Sequence, residues 1–555
     1  MVSSETSADQ SDRATPRAEE GDARRRVRRL QSCFCVFVVL LAIFQFSENT
    51  VDVDLWGHVT FGEAMLKTHS IQKTDIYSWT AAGKPWVNHE CLAEIALGGA
   101  HALLGGKGLL LLKMAVGLLS FGLALRLGIN KLPWPERLAA WALGGLAVVE
   151  ISYGFAARPQ IFTVLFIVFE LALLRRIHAG AHLWAIAMPI MFAVWINTHG
   201  GVLAGFGLLG LAAAATTAQW IFRKISPGRS NSTNVPAKTA IVLWLEVGAS
   251  GAALFINPWR GELIRWLIRS VLWLRPEIEE WNPTPLGWDH AVLFALILLA
   301  AFAWIFTCRP RAWWEFATCA AFAVLALRSV RNTPLCAIVI LALTPPHLAS
   351  SLVRFKESFA RIEGLCSSAG FQKLATALLI AGSAGTAIAT FTLHKQNPFT
   401  MEIPSARFPN GAVAFLREHD LRGKTLVYFD WGEMVIFHLP DCPPSIDGRL
   451  DTCYPPEVIR AHWQFYNADD FDRKALNVDE ADLALLPANL AGAAKLGVQP
   501  DWKAIYFDDT AVILAHHVER FPQLSKLTLP VKGPPFNGLG RVAFMDQSPR
   551  SKSAP

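Results

Sequence analysis

Two aspartates one residue apart follow directly on an apolar stretch that ends near residue 48, in the run Asp52-Val53-Asp54-Leu55-Trp56-Gly57-His58. The same segment continues through Gly62 and Glu63 to Thr74-Asp75-Ile76-Tyr77-Ser78. It closes with Lys84-Pro85-Trp86-Val87-Asn88-His89-Glu90 and Glu94. Carboxylates just beyond a membrane helix, close to Trp and His, are partly desolvated yet still reach water. An Asp in that setting can act as a general base towards an acceptor hydroxyl or hold a divalent cation through its oxygens. The bland alternative is a solvated loop whose Trp side chains rest at the lipid headgroups. His58, His89 and His199 fall on one side of the expected topology. Only Asp54 and His58 among these groups have helical ligand spacing, so no metal set is assigned and a Mg or Mn ion is left as an open option.

The cations that could answer a phosphate are arginines, whose planar fork matches phosphate oxygens. Arg158, Arg260, Arg328 and Arg331 lie at or near ends of apolar segments on the same side as the aspartates, against the usual bias that places basic residues in the cytoplasm. Each could instead pair with an interfacial carboxylate or a lipid phosphate.

Composition says what must position these groups. Of 555 residues, 52% are hydrophobic and 17% charged, so most of the chain presents no aqueous surface. A span needs about 20 apolar residues. Such stretches occur near 31–48, 107–127, 137–153, 160–175, 183–197, 200–222, 239–256, 289–307, 312–328, 333–350 and 371–392, with a weaker one at 91–106. The expected architecture is therefore a polytopic α-helical membrane domain of about 11 spans over residues 31–392, followed by a small soluble α/β domain over 393–555 with a disordered C-terminal end. The 91–106 stretch is expected to be interfacial or re-entrant, and 183–197 is the other suspect. Residues 1–30 read as a disordered cytoplasmic tail ending in the basic run Arg24 to Arg29.

That run holds the N-terminus in the cytoplasm, as do the basic clusters Arg175–Arg176, Arg223–Arg229, Arg309–Arg311 and Arg354–Lys373 for their loops. The long first loop, 49–90, and the C-terminal domain then lie on the extracytoplasmic side. The net charge of +6 is accounted for by these loop ends, which excludes nucleic acid as the partner.

In the C-terminal domain, 411–419, 455–466 and 488–496 read as helices, and 425–429, 481–486 and 511–515 as strands. The stretch Asp447 to Asp451 reads as a polar turn. Cys442 and Cys453 flank it and could form a disulfide in an oxidising compartment. Asn197-Thr198-His199-Gly200-Gly201 reads as a tight turn or helix break.

The first-loop pattern resembles that of bacterial membrane proteins of the GT-C superfamily, polytopic glycosyltransferases that include protein O-mannosyltransferases and lipid A aminoarabinose transferases. The resemblance extends to Arg158-Pro159-Gln160, Asn197 to Gly201, Asn257-Pro258, Glu280-Trp281, Arg331-Asn332-Thr333-Pro334, Asp430-Trp431-Gly432 and Ile446-Asp447-Gly448-Arg449, and so covers most of residues 31–460. It departs in having Asp-x-Asp where better-known members carry adjacent Asp-Glu, and Gly57 where a second aromatic is common.

The resemblance implies an inverting transfer of a hexosyl or pentosyl group from a polyprenyl-phosphate donor at the extracytoplasmic face of the bacterial inner membrane. The acceptor is a glycan, lipid or protein. Asp52 and Asp54 would be the catalytic pair, with His58, His89, Glu90, Arg158, His199, Arg260 and Arg331 lining the substrates. Two other readings stay open. One is a non-catalytic protein of the same shape that binds a lipid-linked glycan. The other is a transporter, which the concentration of carboxylates in one external loop disfavours.

Overall fold

The computed structural model describes residues 16–130, 132–133, 136–226, 232–272, 278–355, 368–393, 399–470, 473–534 and 541–544. The expected C-terminal disorder beyond residue 544, residues 1–15 of the expected tail, and parts of the 223–229 and 354–373 basic clusters lie outside these. The chain opens with α1 (Pro16–Phe46), then α2 (Leu55–Thr68), α3 (Cys91–Leu104), α4 (Gly106–Ile129), α5 (Arg137–Ser152), α6 (Gln160–His178), α7 (Ala187–Trp195), α8 (Val202–Ile225), α9 (Ala237–Ala253) and α10 (Gly261–Leu272). There follow α11 (Ala291–Phe306), α12 (Trp313–Arg328), α13 (Thr333–Leu343), α14 (Pro345–Arg354) and α15 (Ala369–Thr392).

Every apolar stretch picked out in the sequence is helical. Among the described residues, five helices are long and apolar enough to cross a bilayer alone: 21–46 within α1, α4, α8, residues 288–306 ending in α11, and α15. The pair comprising residues 330–343 and α14, bent by 60° at Pro345-Pro346, would make a sixth. α6 has 19 residues but carries Glu170, Arg175 and Arg176, and other apolar helices are shorter than 18 residues. Among them are α3 and residues 182–195, the two stretches singled out as doubtful spans. One departure lies at the N-terminus. Residues 16–30, read as part of a disordered tail, are the first half of α1, because Ala, Glu and Arg sustain a helix once an apolar segment nucleates it.

The soluble domain holds β1 (Glu402–Pro404), α16 (Asn410–Glu418), β2 (Thr425–Val427), α17 (Gly432–His438), α18 (Pro456–Tyr466), α19 (Arg473–Leu476), β3 (Leu483–Pro487), α20 (Ala491–Gly497), β4 (Trp502–Phe507), β5 (Ala511–His516), β6 (Val531–Lys532) and β7 (Arg541–Ala543). Its five-stranded sheet runs β2-β3-β5-β4-β6, with β2–β3 and β4–β6 parallel and the central pairs antiparallel; β1 and β7 form a separate antiparallel pair.

The first loop does not stand apart as a solvated loop. Val51, Leu55, Trp56, Val59, Phe61 and Trp86 share one buried cluster with Met434, Val435, Ile446 and Phe544 of the soluble domain. Trp56 is fully buried, its ring 4.7 Å from that of Phe408. The Trp side chains at 56 and 86 therefore serve a core instead of the headgroup layer. α2 and α3 close on each other through Gly62 and Gly98, where a Cβ on either would strike the opposing backbone, so the loop is braced against α3 from below.

Candidate active site

The aspartates sit where α1 has ended and α2 begins, with Asp54 as the residue before the first turn and Asp52 accepting its backbone N–H at 3.1 Å. Arg158, in the turn between α5 and α6, reaches across both. Its Nε lies 3.0 Å from Asp52 Oδ1, its Nη2 contacts Asp54 Oδ2, and its Nη1 lies 3.5 Å from Glu280 Oε2. Glu280 in turn meets Arg331 Nη1 at 3.6 Å, and the Arg331 guanidinium stacks over the Trp281 ring at 4.8 Å. Arg331 Nη2 faces His199 Nε2 at 3.2 Å, while His199 Nδ1 lies 2.8 Å from the Thr163 hydroxyl and accepts from Gly201 N–H at 3.0 Å. The Asn197 to Gly201 stretch is a break between α7 and α8, and it is this break that turns the imidazole towards Arg331.

Electrostatics separates the two aspartates. Burial pushes the Asp52 carboxyl above its usual range, and the attraction of Arg158 does not overcome it because Asp54 adds repulsion. For Asp54 burial works in the same direction, yet Arg158, His58 and Arg331 together hold it below the usual range. Asp52 is thus the more basic of the pair. His199 is held well below the usual imidazole value by burial and by Arg331, so it is neutral at physiological pH.

A second group lies on the other flank. His58 Nδ1 is 3.5 Å from Glu94 Oε1, and Asn88 donates to Glu94 Oε2 at 2.6 Å. Glu90 Oε1 lies 3.5 Å from His89 Nε2 and 3.7 Å from His199 Nε2. Burial would lower His58, but the bond to Glu94 and the charges of Glu90, Glu94 and Asp54 outweigh it and raise the imidazole. His58, Glu90 and Glu94 each place a ligand atom within 4.8 Å of the others, a nitrogen–oxygen donor set that suits Mn²⁺ or Zn²⁺. In the Asp52/Asp54 pair, Arg158 takes one oxygen of each carboxylate, Asp52 Oδ1 and Asp54 Oδ2.

Of the residues singled out in the sequence, Asp52, Asp54, His58, His89, Glu90, Arg158, His199 and Arg331 converge. Arg260 does not. It is exposed at the start of α10 with a left-handed backbone (φ 49°), its carbonyl held by Asn257, and its side chain bonds to none of the cluster. Arg328 is exposed on the last turn of α12. Cys442 and Cys453 are free thiols; Cys442 Sγ donates to the Leu421 carbonyl at 3.3 Å, which aims it into the β2 side of the domain, so the disulfide does not form.

The residues that sequence reasoning missed come mostly from the far end of the chain. Glu433, on the first turn of α17, accepts the Gly57 backbone N–H at 3.0 Å. A Cβ at Gly57 would strike the Glu433 carboxylate, and a Cβ at Gly448 would strike Asp54 Oδ1, so both glycines are there to let carboxylates and backbone come together. Burial, then the repulsion of Asp54 and Asp447, raises Glu433 well above the carboxylate range, which makes it a neutral acid beside a charged one. Burial and Asp54 also push Asp430 up to about 6. Glu280 and Lys113, which pairs with Glu48 at 3.3 Å, complete the charge set. Asp430 and Glu280 carried a signal, being part of the motifs Asp430-Trp431-Gly432 and Glu280-Trp281; Glu433 and Lys113 carried none.

The turn at Asp447 to Asp451 proves to be a buried lock. Arg449 Nη2 pairs with Asp447 at 2.7 Å and its Nη1 with Asp75 of the first loop at 2.6 Å; the Tyr454 hydroxyl donates to Asp447 at 2.6 Å. The guanidinium is walled by the Phe61, Tyr77 and Trp86 rings at 4.9–5.4 Å. It ties the Thr74–Ser78 motif to the Ile446–Arg449 motif and so seats the soluble domain over the aspartates.

This arrangement, a helix bundle with a carboxylate pair after its first helix and a C-terminal domain docked over it, can be set beside solved structures. The oligosaccharyltransferase of Archaeoglobus fulgidus, tethered to an acceptor peptide containing the NVT sequon, superposes with a TM-score of 0.50 over 83% of this chain and 69% of that one, at 12% identity. The chain shares the fold of that oligosaccharyltransferase. ArnT from Cupriavidus metallidurans bound to undecaprenyl phosphate is also similar, with a TM-score of 0.48, 12% identity, and coverage of 91% of this chain and 99% of that one. No protein-family model matches the sequence. No curated protein sequence matches it either. The apolar helices followed by a C-terminal domain built on a small sheet are the architecture expected from the sequence.

Proposed function

We propose that this protein transfers a sugar from a polyprenyl-phosphate donor to an acceptor hydroxyl at the extracytoplasmic face of the inner membrane. The observation that carries the reading is the raised Asp52 carboxylate held against a depressed Asp54 by one guanidinium, on a GT-C scaffold. Two acidic groups whose environments drive them apart are the usual mark of divided labour.

Asp52, the more basic, takes the proton of the acceptor hydroxyl as its oxygen bonds to the anomeric carbon. The bond from that carbon to the phosphate oxygen breaks in the same displacement, which inverts the anomeric centre, and the charge leaves with the polyprenyl phosphate. Asp54 with Arg158 fixes the orientation of Asp52. Arg158 is committed to three carboxylates, so the guanidinium placed to meet the growing phosphate charge is that of Arg331, partly exposed between Glu280 and His199. His89, Glu90 and His199 line the approach. A divalent cation, where one is bound, would be held by His58, Glu90 and Glu94 and would add positive charge on that flank.

Asp52→Asn and Asp54→Asn, made one at a time and assayed for transfer of labelled sugar from a polyprenyl-phosphate donor in membranes, should each abolish product while leaving the yield of folded protein unchanged. Transfer retained in both would overturn the enzyme and leave a glycan-binding protein. For the topology, Ser70→Cys in the exposed tip of the first loop should react with a membrane-impermeant maleimide in intact cells; protection until the cells are lysed would place the site on the wrong side.

A further inference from the structure

A cavity of about 740 Å³ opens at the opposite end of the helix bundle from the aspartates, between the last turns of α4 and α6 and the segment 233–235. α4 starts at the soluble domain, where the Gly106 carbonyl accepts from Met401 N–H, and α6 starts directly after Arg158. At 1.5 Å per residue their 24 and 19 residues carry the chain roughly 36 and 28 Å away, about the thickness of a hydrocarbon core. The cavity therefore lies at the other membrane face and shares no residue with the site above.

Its walls have two characters. Leu123 and Leu127 of α4 with Val168, Phe169 and Ala172 of α6 make an apolar floor. Three guanidiniums, Arg126, Arg175 and Arg176, stand at the rim. They are held in different ways. Arg175 is fixed structurally, donating to the Leu127 carbonyl at 2.5 Å and to Glu315 at 3.0 Å. Arg176 stacks over the Trp184 ring at 4.0 Å. Among the described residues no carboxylate pairs with Arg126 or Arg176, and the one acid in the lining, Glu315, is already taken by Arg175.

Two guanidiniums without counter-charge above an apolar trough, at the level of a membrane surface, complement a ligand with a phosphate at one end and hydrocarbon at the other. The volume is within the roughly 300–1,000 Å³ range of small-ligand sites. Arginine forks bind phosphate oxygens in pairs. Anionic lipids are drawn to basic residues near the membrane surface.

We propose that this cavity is a binding site for one anionic phospholipid, its phosphodiester on Arg126 and Arg176 and an acyl chain along Leu123, Leu127 and Phe169. The site is independent of the glycosyl-transfer reading.

The test is native mass spectrometry of the full-length protein released from detergent after incubation with dioleoyl-phosphatidylglycerol or dioleoyl-phosphatidylcholine. One phosphatidylglycerol should be retained per protein in preference to phosphatidylcholine. The Arg126→Gln/Arg176→Gln variant should lose that preference at least 10-fold while still folding, because Arg175 keeps its bonds to Leu127 and Glu315. Ala172→Trp, which fills the floor and leaves every arginine in place, should weaken retention as well. Equal retention of the two lipids, or a preference unaffected by both variants, would overturn the proposal. So would displacement of the lipid by millimolar inorganic phosphate, which would make the site one for a free anion.

Discussion

Replacing Arg158 by Gln keeps much of the side chain's reach but removes the charge that three carboxylates share. In the wild type the guanidinium is 3.0 Å from Asp52, in contact with Asp54 and 3.5 Å from Glu280, with its side chain 22% exposed. One unit-charge pair at 4 Å attracts by about 4 kcal/mol at an effective dielectric near 20, and removing one partner of a buried pair costs about 3–5 kcal/mol. The pH dependence fixes the sign. Asp54 is held below its unfolded value, so its stabilising contribution is present at neutral pH and is lost only as the pH falls through that lower value. Asp52, raised by burial, acts the other way and loses stability as the pH rises through its folded value. Without the guanidinium Asp52 and Asp54 lose their main attraction and face burial and each other, so both move up, and the folded state takes up protons more readily than the unfolded chain. Arg158→Gln should therefore be about 3–5 kcal/mol less stable at pH 7.5 and should regain stability on acidification towards pH 5. Wild-type Asp54, already ionised there, offers no such gain. Thermal unfolding followed by Trp fluorescence in detergent, from pH 5 to 8, measures this directly. Equal melting temperatures for variant and wild type at every pH, or a variant that weakens steadily from pH 7.5 to 5, would refute the electrostatic account.

Glu433 is neutral by the reasoning above, so Glu433→Gln should keep the Gly57 acceptor and most of the activity. Glu433→Ala strands a buried N–H, at a cost of about 1–3 kcal/mol in the same unfolding assay. Gly448→Ala pushes a methyl onto Asp54 Oδ1; transfer should fall at least 10-fold, by more than any loss of folded protein explains. Arg449→Met leaves Asp75 and Asp447 without their cation and should cost about 3–5 kcal/mol, seen as a lower melting temperature and as faster protease cleavage within residues 70–85. Chelation with EDTA followed by Mn²⁺ should change transfer in the wild type and have no effect in Glu94→Gln; an identical response in the two would exclude His58, Glu90 and Glu94 as a metal set.

How far the sequence discloses this molecule depends on the range of the interaction. Spans such as 107–127 and 371–392 are local properties of composition, and the structure has helices there. The strands β2, β3 and β5 are short, almost wholly apolar and equally visible. β4 was not, because Lys503 and Ala504 break up its apolar run and only pairing with β5 makes it a strand. Arg158 was legible as a cation at the end of an apolar segment, on the side the sequence assigns to the aspartates. Its partner Glu280 was visible only as part of a motif, and Glu433 lies in a helix, Gly432–His438, that the sequence did not mark. What makes Glu433 special is that α17 brings it against Gly57, 376 positions away in the chain, and no local pattern encodes such a contact. The polar turn at 447 was read correctly as to backbone, since Asp447 does accept the Arg449 N–H at 3.0 Å. Its burial and its bond to Asp75 belong to the tertiary fold.

The Arg449–Asp75 pair joins residues 374 positions apart. During synthesis the first loop must therefore wait, with Asp75 and the ring walls of Phe61, Tyr77 and Trp86 unfilled, until every membrane helix has been made and the last domain delivered to the same side. A ribosome that stops between residues 393 and 448 releases every helix of the bundle but leaves Asp75 without its cation. The first loop is thereby locked in place only once the chain has been finished.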